Sequence, residues 1–589
     1  MCGICGEINF RNEPSVVNVE KMMRSLQSRG PDASGLLKQG NVAFGHRRLS
    51  IIDKSNSSQQ PMFDPQLGLA IVFNGCIYNY VELRTELKSK GYHFFSTGDT
   101  EVILKAYHAW GMDCLNKLLG MFAFAIWEQD SGRTIVVRDR LGIKPLYYNE
   151  NTEYFRFAST LPALLECGDV DTSIDSVALH YYMSFHAAVP APFTILKGIR
   201  KLPPATYMVI DRTGKREEHR YWSLNYESRS ADTQYSKQDW QEMVFDAVEL
   251  AVMRRQIADV PTGVLLSGGL DSSLIVALLA RNGQSDLKTF SVGFDDVNGI
   301  TGNEYKYSDL IAQEYGTEHN RIHVSPEETL SALPAAVAAM SEPMMSHDSV
   351  GFYLLSEQVT KTAKVVQSGQ GADEVFGGYH WYPKLENSQN PLDDYAQLYF
   401  DRDHAEMQKT LSPDYIGDDY SRIFVEEYFE KLSTSSPVNK ALQIDTDIML
   451  VDDPVKRVDN MTMAFGVEAR VPFLDHELAE LAARIPSELK VGHGGKYILK
   501  EAARKILPAE VIDRPKGYFP VPALKYIQGD YLTFIKEILN QPVARSRGLF
   551  NQSYIDGLLA EPDAALTPKG HSKLWQIGSL ELWLQSHGI

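Results

Sequence analysis

Along the first third of the chain, apolar and polar positions alternate at short intervals, the period-2 pattern of half-buried strands. NVAFGHRRLSIID (41–53), LAIVFNG (69–75), FAFAIW (122–127) and RTIVVRD (133–139) read as strands. The last two join across Asp130-Ser131-Gly132 as a hairpin. Helical spacing is seen over Val81–Lys90 and Thr100–Trp110. VPAPF (189–193) and KLPPATY (201–207) then break the periodicity, and the polar stretch Asp211–Gln234 reads as a domain junction.

Beyond residue 237 the pattern changes. VPTGVLL (260–266), KTFSVGF (288–294) and AKVVQS (363–368) are apolar runs of strand length, and SLIVALLAR (273–281) and SDLIAQEYG (308–316) are helical. Strand–helix alternation predicts a parallel α/β sheet, and the last 200 or so residues are mostly helical in pattern. The expected division is residues 1–212, a linker over 213–236, and residues 237–589.

Composition refines this picture without redirecting it. The 589 residues suit two or more domains, and 44% hydrophobic with 23% charged residues is ordinary for a globular protein. A net charge of −18 argues against nucleic acid as a partner. No apolar run is long enough to span a bilayer, so no membrane role is expected. The first twenty residues lack a basic segment followed by an apolar one, so no secretory leader is expected. The five cysteines (2, 5, 76, 114 and 167) are odd in number and join no Cys/His ligand set. That argues against a disulfide framework or a structural zinc, and for a cytoplasmic location.

Two local patterns carry chemistry. Cys2 follows Met1 directly. If Met1 is removed, one residue holds both a nucleophilic thiol and an α-amine whose ordinary pKa of about 7.7–8.0 suits a general base. The second pattern is Ser267-Gly268-Gly269-Leu270-Asp271-Ser272-Ser273, placed between a strand and a helix. Two glycines allow close backbone approach to an anion, three hydroxyls add donors, and the helix start favours negative charge. Asp271 offers a hard oxygen ligand for Mg²⁺. SGQGADEVFGGY (368–379) follows another strand; there Asp373 can serve as a second Mg²⁺ ligand, and Ser368 and Gly369 can contact ATP through their backbone.

With these elements in place, the chain resembles the glutamine-hydrolysing asparagine synthetase family over nearly its full length. The resemblance rests on MCGICG (1–6), RGPD (29–32), HRRLSIID (46–53), QPM (60–62), FNGCIYN (73–79), GDTEVIL (98–104), RDRLGIKPLYY (138–148), SGGLDSS, SGQGADEVFGGY and MAFGVEARVPFLDH (463–476). It implies an α/β protein: an N-terminal αββα sandwich acting as an N-terminal-nucleophile glutaminase, then a parallel α/β domain of ATP-pyrophosphatase type with a helical C-terminal part. It also implies roles for residues. Cys2 would attack the glutamine amide and release ammonia. Arg48 would pair with the substrate α-carboxylate, with Leu49, Ser50, Ile51 and Ile52 lining the site. Asn74 and Gly75 would form the oxyanion hole, and Asp99 would hold the α-ammonium. In the second domain Leu266 and Val292 would contact the nucleotide, Asp271 and Asp373 would hold Mg²⁺, and Lys496 would face the adenylated intermediate and pyrophosphate. Glu468 and Arg470 lie in a family motif without an assigned role.

Two positions depart from the family pattern. Cys76 stands where the motif NGE has its glutamate, and Gln370 stands where an acid is usual. Both, with SEPMMSHDSV (341–350), resemble a subgroup that amidates the C-terminal carboxylate of N-acetylglutaminylglutamine. The expected reaction is glutamine- and ATP-dependent amidation of a carboxylate, either such a blocked dipeptide or aspartate. The alternative is a glutaminase with an inactive synthetase domain. A homodimer is compatible with the resemblance.

Overall fold

The computed structural model describes residues 2–227, 229–296, 301–515, 517 and 521–589. Its N-terminal part is built on two six-stranded antiparallel sheets. In the first, the strands run in the order Arg200–Lys201, Tyr147–Glu150, Tyr154–Ala158, Gly3–Asn9, Val42–Arg48, Ala33–Gln39. In the second the order is Arg216–Arg220, Thr206–Ile210, Thr134–Arg138, Gly120–Glu128, Leu69–Ile77, Met62–Asp64. The expected hairpin forms, with Phe124 opposite Val137 and Ile126 opposite Ile135.

Strand Leu69–Ile77 shows why this is a four-layer sandwich. Ala70 and Val72 point inward, joining Ile4, Phe44 and Phe157 of the first sheet in the core between the sheets. Leu69, Ile71 and Phe73 point outward and pack under the helices Tyr80–Ser89 and Asp99–Trp110. Both faces are covered, so the strand is apolar at successive positions instead of alternating. Helix Val16–Ser25 buries Val19 and Met22.

The junction is shorter than its polarity suggested. Within Asp211–Gln234, residues Arg216–Arg220 form a strand, mostly exposed, that pairs with Thr206–Ile210 at the sheet edge. An edge strand open to water is rich in charge, which is why its sequence reads as linker.

The second part holds a five-stranded parallel sheet in the order Glu318–Val324, Lys288–Phe294, Thr262–Leu265, Val365–Gln367, Glu468–Arg470. Helix Tyr305–Tyr315 ends at Gly316 in the left-handed conformation (φ 63°). Most of the remainder is helical. No helix among the described residues is long and apolar enough to cross a membrane.

The two parts meet across buried charge. Asp459 accepts from Arg29 at 2.9 Å and from Lys144 at 3.2 Å. Lys201 bridges Glu342 (2.9 Å) and Asp452 (2.8 Å), with Lys456 3.5 Å from Glu342. Such groups are tolerated inside only because each charge is paired. Burial alone would raise the Asp459 pKa; Arg29 and Lys144 outweigh it and hold the carboxyl below its ordinary value.

Candidate active sites

The first cavity opens at the end of the sandwich. Cys2 lies just before strand Gly3–Asn9, 8% exposed, with Sγ 4.0 Å from the Leu49 carbonyl. Its backbone nitrogen donates to Asn74 Oδ1 at 3.0 Å. That bond fixes the Asn74 amide and leaves Nδ2 as a buried donor without a partner. The neighbouring Gly75 has φ 157°, and a Cβ there would lie 2.1 Å from the Met121 carbonyl, so no side chain fits. Cys2 and Cys5 have C-x-x-C spacing but do not face each other. The Cys5 thiol points to the carbonyls of Val19 and Gly45, as expected for residues an odd number apart on a strand.

Around Cys2 the cavity is lined by Arg48, Leu49, Ile51, Ile52, Cys76 and Asp99, which the sequence singled out, and by Ser58, Gln60, Phe73, Thr100, Glu468 and Arg470. Ser50 is held elsewhere: its N–H donates to Asp32 at 2.7 Å. Arg48 donates to the carbonyls of Ser55 and Asp53, which locks its guanidinium in place. Gln60 ties the walls together, accepting from the Phe73 N–H and donating to Thr100 Oγ1.

Asp99 is the first residue of its helix, one position before the expected start, and accepts from the Ile77 N–H at 3.1 Å. Burial lifts its pKa to about 6, against the lowering pull of the Ile77 N–H. Burial also raises the Cys2 thiol, with the Leu49 carbonyl and Arg48 among the opposing influences. Glu468 behaves oppositely. Burial would raise it, but positive neighbours, Arg470 and Lys144 among them, outweigh burial and it lies at about 2. Arg470 is fixed by a 2.6 Å bond to Glu468 and by bonds to the carbonyls of Arg255 and Ile257. The first cavity therefore has one wall made by strand Glu468–Arg470 of the second part.

The second cavity lies at the carboxyl ends of the parallel strands, where ligands of open α/β sheets bind. Leu266, Ser267, Gly269, Leu270, Asp271, Ser272, Val292, Ser368, Gly369, Gln370, Asp373 and Lys496 line it. Gly268 and Ser273 stand behind it. Gly268 takes φ 74°, and a Cβ there would come within 2.5 Å of the Ser308 nitrogen. Ser273 is fully buried. Ser272 Oγ accepts from the Ser267 N–H, and Ser267 Oγ accepts from the Gly269 N–H, so the hydroxyls shape the loop. Helix Leu270–Arg281 begins at Gly269 with no side-chain cap, leaving its first N–H groups directed at an incoming anion.

Lys496 closes the site. It sits at the start of helix Tyr497–Ala503 in a left-handed conformation (φ 54°). Its ammonium lies 2.6 Å from Asp271 Oδ2 and 2.9 Å from Asp373 Oδ1. Burial would lower its pKa, but the two carboxylates outweigh burial and keep it charged. Two hard oxygen donors converging on one cation are a donor set that fits Mg²⁺. Glu304, Asp348, Phe352, Lys500 and Arg514 also line the cavity, none of them evident from the motifs.

Residues 243–585 match the asparagine synthase family model, and residues 1–222 match the glutamine amidotransferase domain. The chain belongs to the asparagine synthase family. It is 32% identical to asparagine synthetase [glutamine-hydrolyzing] 1 of Bacillus subtilis, covering 99% of this chain and 96% of that one. It is 30% identical to asparagine synthetase B of Escherichia coli over 88% and 82% of the two chains. It is also 26% identical to amidase chry2 of Gibberella zeae, over 95% of each. ATP use is expected of a member of this family.

Proposed function

We propose that this member of the asparagine synthase family is a glutamine-dependent ligase that adenylates an acceptor carboxylate with ATP and converts it to an amide. The observation that carries the reading is the pairing of two cavities, one holding a buried thiol and the other a phosphate-type loop, with a single strand walling the first and abutting the second.

In the first cavity, a thiol raised by burial does not ionise unaided near neutral pH, so attack needs a base. The Cys2 nitrogen, free after Met1 removal, is that base. The sulfur attacks the glutamine side-chain carbonyl carbon, and the C=O electron pair moves onto oxygen. The orphaned Asn74 Nδ2 and the Gly75 N–H receive that charge. Collapse expels ammonia, and water then hydrolyses the thioester to glutamate. Arg48 holds the substrate carboxylate, and Asp99 its ammonium. Glu468 adds negative charge on the side where Cys76 replaces the family glutamate.

In the second cavity, an acceptor carboxylate oxygen attacks the α-phosphorus of ATP and pyrophosphate leaves. Ammonia attacks the acyl carbon, and AMP leaves. Asp271 and Asp373 would hold Mg²⁺, which neutralises phosphate charge when bound. Lys496 offsets charge on the leaving group. An inactive synthetase half is disfavoured, because the lysine–dicarboxylate cluster is intact.

Asp99 gives this reading a pH signature. Its folded pKa of about 6 lies above the ordinary carboxylate value, so charge is lost as pH falls through 6. KM for glutamine in the glutaminase reaction should be flat above that point. Below it, KM should rise by up to about tenfold per pH unit, as expected for one titrating group. Initial rates between about pH 5 and pH 7 check this. A KM that does not change over that range removes Asp99 from ammonium binding.

For the acceptor, we propose a blocked peptide ending in a free carboxylate, of the N-acetylglutaminylglutamine kind. Neutral Gln370 lines the cavity where the family has an acid, so less negative charge is available to hold the α-ammonium of aspartate. The peptide should be amidated at least as well as aspartate in side-by-side kcat/KM measurements. A tenfold preference for aspartate, about 1.4 kcal/mol of discrimination, returns the chain to asparagine synthesis.

A further inference from the structure

Helix Ser176–Ser184, between strands of the sandwich, packs against helix Tyr420–Glu430 of the helical C-terminal part. There the ring of His180 faces His404, the first residue of helix His404–Thr410, and Asp419, the cap of helix Tyr420–Glu430. One ligand atom from each of the three lies within 4.8 Å of the others. None of the three lines either candidate active site.

The hydrogen bonds around His180 favour the tautomer with its proton on Nδ1. The Ser184 hydroxyl donates to the His180 carbonyl at 2.8 Å. The Ser421 hydroxyl lies against Ser184 Oγ. Because the Ser184 proton is already committed, Ser421 is the donor of that pair. Ser421 Oγ therefore accepts from His180 Nδ1–H at 3.0 Å. This leaves Nε2 as a lone pair. His180 is 2% exposed, and Nε2 is buried with no hydrogen-bond partner, 4.0 Å from Asp419 Oδ1. A lone pair facing a carboxylate is repulsive unless a cation lies between them. His404 Nδ1 is likewise buried without a partner. Its Nε2 lies 3.0 Å from the Gln408 side-chain amide, which, turned by 180°, presents its oxygen to an Nε2–H and leaves Nδ1 as the lone pair. The Tyr420 ring packs edge-on to His180 at 5.5 Å and holds it in place.

We propose that His180 Nε2, His404 and Asp419 form a binding site for a divalent transition metal, with Zn²⁺ as the ion best suited to two imidazoles and a carboxylate. Burial keeps His180 neutral, as a ligand must be, by lowering its pKa to about 4. In a tetrahedral zinc site the ligand atoms stand about 3.3 Å apart, so the three side chains close slightly on binding. Asp419 is 28% exposed and gives the ion a way in. The Ser421–His180 bond plays the part of the outer partner that sets the tautomer of a metal-bound histidine. His180 lies in the stretch matched to the amidotransferase domain, and His404 and Asp419 lie in the stretch matched to the synthase family. The ion would staple the two catalytic units together.

The test uses the full chain stripped with chelator, then titrated with Zn²⁺ against a chromophoric competitor and with Co²⁺ by visible absorption. The wild-type protein should bind one equivalent that is weakened at least about 100-fold in His404→Gln and in Asp419→Asn. Both sites are partly exposed, so these variants should fold. Ser421→Ala should weaken the same equivalent by about 10–100-fold. Co²⁺ in that equivalent should show the intense bands of tetrahedral coordination. Zn²⁺ binding that is unchanged in both ligand variants overturns the proposal, as does the absence of any tetrahedral Co²⁺ signal that they remove. Metal bound at Cys2 or at Asp271 and Asp373 survives in these variants and is thereby told apart.

Discussion

Replacing Cys2 with alanine is expected to abolish glutamine-dependent synthesis while synthesis from added ammonia persists. The Cys2 thiol lines the first cavity and its backbone nitrogen bonds Asn74; Cys76 lines the same cavity but carries no α-amine that could serve as its base. Its loss should lower the glutamine-dependent rate by at least about 10³-fold, roughly 4 kcal/mol of barrier. The ammonia-dependent reaction uses the other cavity, whose lining does not include residue 2. Two assays on one preparation decide the matter: glutamate release from glutamine, and amide formation with an ammonium salt. A variant that still hydrolyses glutamine removes Cys2 from the reaction. A folded variant that ammonia cannot rescue shows that the two chemistries are not separable as proposed.

The complementary result is expected for Asp271→Asn. This change keeps the side chain's size but removes one of the two carboxylates that converge on the Lys496 ammonium. It also removes a charged oxygen from the donor set suited to Mg²⁺. Synthesis should fall by at least about 100-fold, about 2.7 kcal/mol, with glutaminase activity retained. In the unmodified protein, nucleotide analysis should find AMP and pyrophosphate in step with amide formation. Stoichiometric ADP would exclude the adenylation step.

The local parts of this machinery were legible in the sequence because their chemistry is local. Seven consecutive residues make the phosphate loop, and a strand before it with a helix after it can be read from periodicity alone. Gly268 and Gly75 are required by backbone crowding that a motif preserves. Other features were hidden for physical reasons. Strand Glu318–Val324 is a sheet edge with mostly polar, part-exposed residues, so no apolar run announced it. The start of helix Asp99–Trp110 was displaced by one residue, because a buried carboxylate does not look like a core position. Glu468 and Arg470 could be seen in a motif, but their place in the first cavity depends on a strand packing against a part of the chain that begins more than 450 residues earlier. The His180, His404 and Asp419 cluster has no sequence spacing to recognise. His180 lies more than 200 residues before His404 and Asp419, and they meet because helix Ser176–Ser184 packs against helix Tyr420–Glu430.

The strand Glu468–Arg470 has a consequence for how this protein can be taken apart. Its side chains close the Cys2 cavity, while the Arg470 carbonyl accepts from the Ser368 N–H at 2.9 Å, at the lip of the nucleotide cavity. The two catalytic halves therefore share a party wall. An N-terminal fragment cut at the family boundary would keep Cys2, Asn74, Gly75 and Asp99, yet the cavity around Cys2 would be missing one side. The halves are not interchangeable cassettes. A chimera that joins this amidotransferase half to another synthetase would inherit a Cys2 cavity finished by the newcomer's residues.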